Sequence, residues 1–92
     1  MPGYYTPPGI VKDDPEFQRR EEEGLSVLSM HLDEPENREA TRREIEEWYA
    51  EQFPGSTLFW AGGGNMFSNG RMWNRWLPED AVKACVLRLF WG

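Results

Sequence analysis

His31 is the only histidine in this chain and Cys85 the only cysteine, which limits the chemistry it can carry. A structural zinc site takes about four nitrogen or sulfur ligands, and a nucleophilic cysteine needs a base positioned beside it. Neither a Glu-x-x-His nor a His-x-x-x-His spacing occurs. His31 therefore reads as a surface or partly buried side chain. Cys85, within the apolar run Ala84-Cys85-Val86-Leu87, reads as a small packed hydrophobe. No catalytic residue, metal ligand or cofactor is expected, and the chain reads as a non-enzyme.

Carboxylates are the abundant functional group. Glu21-Glu22-Glu23 and the set Glu44, Glu47 and Glu51 place acids at helical spacing. Paired carboxylates do acid–base work only in a pocket that moves one of their pKa values. Here arginines are interleaved: Glu39 faces Arg42 and Arg43, and Arg43 faces Glu47. That pattern is a solvated face laced with ion pairs. The alternative is an acidic inhibitor, with Glu44, Glu47 and Glu51 imitating phosphates to block a host defence nuclease or another nucleic-acid-binding complex. The interleaved bases dilute such a field. Gly62-Gly63-Gly64-Asn65 is followed by Met66-Phe67 rather than the Gly-Lys-Ser/Thr ending of a phosphate loop, so it reads as a turn or flexible linker.

The most suggestive segment is Arg71-Met72-Trp73-Asn74-Arg75-Trp76. Arg, Trp and Met concentrate at protein interfaces, and alternating Arg and Trp can also stack on single-stranded bases. Trp60, Trp73 and Trp76 equally suit the core of a small sheet. Residues 1–12 (MPGYYTPPGIVK) form a second candidate region. Pro2, Pro7 and Pro8 exclude helix there, while Tyr4, Tyr5, Ile10 and Val11 are residues that lie against something. The expected partner-binding set is Tyr4, Tyr5, Pro7, Pro8 and Ile10 in an extended arm, with Arg71, Trp73, Arg75, Trp76 and Trp91.

The 92 residues carry 16 acids against 10 bases, a net charge of −6. The first 52 residues hold 14 of the acids and 6 of the bases, while the last 40 hold 2 and 4. Eight of the thirteen aromatic residues fall at or after Phe53. The acidic half and the aromatic half are thus separate, and a net charge of +2 on the latter is a thin footprint for nucleic acid. One cysteine excludes an internal disulfide, and no apolar run nears the ~18 residues of a membrane span. Met1-Pro2-Gly3-Tyr4 lacks the basic and apolar regions of a secretion signal, so a cytoplasmic or virion location is expected. A single domain this short buries only about 60–65 % of its unfolded surface, and such domains often draw stability from oligomers or partners.

The elements follow from caps and periodicity. Asp14 suits the cap of a first helix, with Pro15 at its first position and Phe17, Leu25, Leu28 and Leu32 on one broad side. Gly24 weakens its middle, so a break is expected near Gly24 with Leu25–Leu32 as the packed part of the helix, and a strand over Leu25–Leu32 is the competing reading. A second helix opens at Asp33-Glu34-Pro35-Glu36 and runs to about Gln52, with Ala40 or Thr41, Ile45, Trp48, Tyr49 and Phe53 apolar. Ser56–Ala61 reads as a strand. Asn69-Gly70 between Met66-Phe67-Ser68 and Arg71-Met72-Trp73 marks a hairpin. Pro78-Glu79-Asp80 opens a last helix whose inner face is Val82, Cys85, Val86, Leu89 and Phe90, with a strand through Cys85–Trp91 as the alternative.

The expected fold is a single small α+β domain over residues 13–92, preceded by the arm at 1–12. It has two acidic helices, a short Trp-rich antiparallel meander and a C-terminal helix. The expected function is non-enzymatic: a protein-interaction subunit of a larger assembly, most concretely a connector, cement or accessory component of a tailed-phage particle. Protein partners are expected, self-association is open, and neither membrane nor nucleic acid is expected as a partner.

Overall fold

A computed structural model describes residues 13–32, 37–66 and 71–92. The Asp14 carboxylate accepts the Glu16 amide at 2.8 Å and Pro15 takes the first helical position, which starts helix α1 (Pro15–Glu22). Gly24, at φ +70°, ends it. The Leu25 amide donates to the Arg20 carbonyl and the Gly24 amide to the Glu21 carbonyl, both at 3.1 Å. This is a Schellman stop, in which glycine takes the left-handed position. The helix therefore does not extend to Leu32 as favoured from sequence. Val27–Leu32 is strand β1, the competing reading.

Helix α2 (Arg38–Gln52), strand β2 (Phe59–Met66), strand β3 (Arg71–Leu77) and helix α3 (Ala81–Trp91) follow. The expected arm at 1–12, the expected helix start at 33–36 and the hairpin turn at 67–70 lie outside the described residues. Strands β2 and β3 nevertheless pair antiparallel with Met66 opposite Arg71. On its other side β3 pairs antiparallel with β1, giving the order β1-β3-β2. Asp80 caps α3 by accepting the Lys83 amide at 2.9 Å, so the last element is helix and not strand.

The glycine run belongs to β2 and is not a linker. Trp60 pairs with Trp76 but Gly63 pairs with Asn74, so β2 spends one extra residue between them. That bulge is built at Gly62, whose φ of +124° disfavours other residues. Gly63 is needed for room. A Cβ there would lie 2.7 Å from Asn74 Oδ1 and 2.8 Å from the Trp73 carbonyl oxygen.

One face of the sheet carries the core. Val27, Trp76 and Trp60 lie side by side across the three strands, and Ile45 of α2 with Ala84 and Leu87 of α3 closes over them. Helix α2 packs as its sequence predicts, with Ile45 and Tyr49 buried and Trp48 partly so. Two indoles in so small a core need acceptors for their N–H groups. Trp76 Nε1 donates to Ser29 Oγ at 3.0 Å, and Trp60 Nε1 donates to Asn74 Oδ1 at 2.9 Å. The architecture is mixed α+β, with three helices on a three-stranded antiparallel sheet.

Helix α1 is held at one end of the opposite sheet face by Arg20, which is 1 % exposed. Its guanidinium donates to the Thr57 carbonyl at 2.7 Å, the Leu77 carbonyl at 2.9 Å and Thr57 Oγ1 at 3.0 Å. It also meets Glu16 at 2.9 Å and lies 4.5 Å above the centre of the Phe59 ring. Hydrogen bonds from Arg19 first, and then from Arg20, hold the Glu16 carboxyl down at about 2, from an ordinary value of 4.5.

Two outcomes follow from this packing. Gly63→Ala should lower unfolding free energy by about 1–3 kcal/mol in urea titrations, because backbone as well as Asn74 must move. A depressed carboxyl supports the fold fully above its unfolded pKa and loses that support as pH falls toward its folded one. Wild-type stability should therefore drop between about pH 4.5 and pH 2. Glu16→Gln should be less stable at pH 7 and should flatten that part of the profile, as measured by denaturant titration at successive pH values.

Candidate interaction surface

Strand periodicity splits the segment Arg71–Trp76 between two faces. Met72, Asn74 and Trp76 point into the core and are buried. Trp76 is 0 % exposed, so it is not available to a partner, and its expected role there is corrected: it is the centre of the core. Arg71, Trp73 and Arg75 share the other face, with Arg71 exposed and the other two half-buried.

Among the described residues, α1 reaches one end of that other face, on which Leu28 and Arg71 are exposed and Met30, Trp73 and Arg75 half-buried. Register sets Trp73 between Met30 on β1 and Gly64 on β2. The indole lies against the Gly64 backbone, where a Cβ would meet Trp73 Nε1 at 3.1 Å and Cζ2 at 3.2 Å. Leu28, beside Arg75, is 48 % exposed, and Met30 is half-buried. Arg75 is partly committed: it meets Glu21 at 2.6 Å and Ser26 Oγ at 3.3 Å. The result is an apolar strip of Leu28, Met30 and Trp73 with arginines beside it. Leu28 and Met30 were not singled out from sequence. Their signal was an inverted alternation, with Ser29 and His31 facing inward and the larger apolar residues facing out.

A second apolar surface lies on α3. The buried side of this helix is Ala84 and Leu87, joined by the partly buried Trp91. The stripe expected to face inward points outward instead. Val82 is 72 % exposed, Leu89 78 % and Phe90 67 %, while Cys85 is exposed and Val86 half-buried. The helix is apolar on both sides, and Ala84, Leu87 and Trp91 take the core side. Cys85 is thus not the packed hydrophobe that its sequence neighbours suggested. Trp91 is held by Trp48, with ring centres 6.2 Å apart, and so serves the α2–α3 contact.

The acidic set is exposed as expected. Glu44, Glu47 and Glu51 all project from α2 away from the core. The ion pairs of α2 run instead through Arg42, 3.0 Å from Glu46 and 4.0 Å from Glu39. Arg42 also lies 4.6 Å over the Trp60 ring. Tyr4, Tyr5, Pro7, Pro8 and Ile10 lie outside the described residues. His31 is half-buried on the core side of β1, opposite Met72. Among the described residues no group of three or more His, Cys, Asp or Glu side chains is placed to hold a metal ion. Among the same residues no helix is long and apolar enough to cross a membrane.

No family model, curated protein or solved structure matches this chain.

The buried and the open face of the sheet should separate cleanly on mutation. Trp76→Ala should cost about 3–5 kcal/mol, the range for deleting a buried aromatic side chain, and leave Ser29 without its donor. Leu28→Glu, on the open face, should stay within about 0.5 kcal/mol of wild type. Chemical denaturation of the two variants reads the contrast directly.

Proposed function

We propose that this protein is a non-enzymatic interaction subunit that docks a protein partner on the open face of its sheet. The observation that carries the reading is the row Leu28, Met30 and Trp73, which the fold leaves accessible beside Arg71 and Arg75. An exposed Leu beside a half-buried Met and Trp in one patch, with arginines alongside, has the composition of an interface core. Trp73 is the anchor: it is rigidly seated on Gly64 and presents one side of a large ring to the partner. In its concrete form the subunit is a minor connector or cement component of a tailed-phage particle, with residues 1–12 as an arm on the neighbouring subunit.

A second reading rests on the exposed acids Glu44, Glu47 and Glu51. It makes the protein an acidic inhibitor of a host defence nuclease or a nucleic-acid-binding complex. The two readings differ in salt dependence, because a phosphate mimic depends on charge and a Trp-centred contact does not.

The test is to isolate the full chain from its native source with its partners and weigh the complex. Association with a large particle, lost in Leu28→Glu with Met30→Glu and retained in Glu44→Gln with Glu47→Gln and Glu51→Gln, is the expected result. A complex dissolved by moderate salt and by the glutamine set, but indifferent to the Leu28 and Met30 changes, overturns it in favour of the inhibitor. Deleting residues 1–12 should abolish particle association while leaving the fold of residues 13–92.

A further inference from the structure

We infer that the outward face of α3 is a self-association surface, on which a second copy of this chain packs its own α3 antiparallel about a two-fold axis. This surface is distinct from the open sheet face, and the inference does not depend on the partner proposed there. Val82, Cys85, Val86 and Leu89 recur at the three- and four-residue spacing of a helix-packing seam, directly opposite the buried Ala84 and Leu87. A helix apolar on both sides belongs between two layers, and among the described residues this one has a layer on one side only.

Three observations name a second copy as the occupant. The row is nearly symmetric about its middle: Val82 and Leu89 stand at the ends, with Cys85 and Val86 between them. A two-fold axis through that middle sets Val82 against Leu89 of the other copy and brings the two Cys85 side chains near each other, as an isologous contact requires. The charge distribution agrees. The chain is net −6 and repels its own copy, yet α3 contains no acid, while α1 carries Glu16, Glu21 and Glu22 and α2 carries five glutamates. The row Val82, Cys85, Val86 and Leu89 itself carries no charge, so two copies of it meet without opposing like charges. The area stands at the lower limit of what a dimer needs. Val82, Leu89 and Phe90 stand 72 %, 78 % and 67 % exposed, Phe90 with one side of its ring on Trp48, and their full burial with Cys85 would take at most about 1,000 Å² over both copies, the threshold for a specific interface. An association in the micromolar range is the matching strength.

Sedimentation or light scattering on the full chain over about 1–200 μM should show a monomer–dimer equilibrium with a dissociation constant in the micromolar range. Val82→Glu and Leu89→Glu, made separately, should each weaken it by more than about tenfold, since a two-fold interface receives the charge twice. Both side chains lie off the core, so unchanged far-ultraviolet circular dichroism and unfolding midpoint identify a folded variant. A short bis-maleimide should join two chains through Cys85 in the wild type and fail to do so in Leu89→Glu. Leu28→Glu, on the other side of the molecule, should dimerise normally. A chain that stays monomeric throughout the range overturns the inference, as does a dimer that survives both substitutions or one that Leu28→Glu dissolves.

Discussion

Cations placed between a carboxylate and an aromatic ring join each helix to the rest of the fold. Arg20 meets Glu16 and lies over Phe59, Arg42 meets Glu46 and lies over Trp60, and Lys83 meets Asp80 and Glu79 and lies over Phe53. Each helix contributes one such cation. Arg20 ties α1 to the start of β2, Arg42 ties α2 to the same strand, and Lys83 ties the start of α3 to the end of α2. A surface ion pair alone contributes little, but a cation that also covers a ring excludes water from one side of the pair. The acids thus remain solvated outside, the rings remain dry inside, and the cations define the boundary.

Inside that boundary the indoles impose the second constraint. Trp60 and Trp76 stand opposite each other on neighbouring strands, and their N–H groups must be satisfied where water does not reach. Ser29 and Asn74 meet that need, which is why two polar residues lie fully buried in a chain short of aliphatic side chains. Asn74 in turn fills the space beside β2 that a side chain at position 63 would need. Glycine at that position is thus a consequence of the tryptophans. The bulge at Gly62 then lets both Trp60 and Gly63 face the core despite their odd separation.

These dependencies explain what was legible in the sequence. The caps at Asp14 and Asp80, the end of α2 near Gln52 and the inner residues Ile45, Trp48 and Tyr49 are local signals, set within four residues of each other, and each was readable. The identity of β1 was not, because its inward positions are Ser29 and His31 and its outward ones Leu28 and Met30. Alternation was present with the polarity reversed, since the inward polar groups answer an indole on another strand. The glycine run was misread for the same reason: its partner atoms belong to Trp73 and Asn74, distant in local sequence until the hairpin closes. Helix α3 posed an ambiguity that periodicity cannot resolve, since Ala84, Leu87 and Trp91 make one apolar side and Val82, Cys85, Val86 and Leu89 the other. The side with Ala84 and Leu87 packs on the core, and Trp91 extends it to Trp48. In the Arg71–Trp76 segment, composition pointed to an interface and the period of two determined which half of it is accessible.

The layer order has a functional consequence. From one side to the other the molecule runs open sheet face, sheet, core, helix layer and outward apolar row of α3. The two uncovered apolar surfaces therefore point in opposite directions and can be engaged at the same time without competing. A pair of chains joined through α3 would present two copies of the Trp73 face on its outer sides. Such a pair binds repeated sites on a partner with the second contact made intramolecular, so that two individually weak contacts of this size hold as one strong one when the spacing fits. For a domain too small to bury a large interface on either side, pairing through α3 would be a physical route to firm attachment. It would also fit the chain's charge, since the acids gather on α1 and α2 and the outward row of α3 carries none.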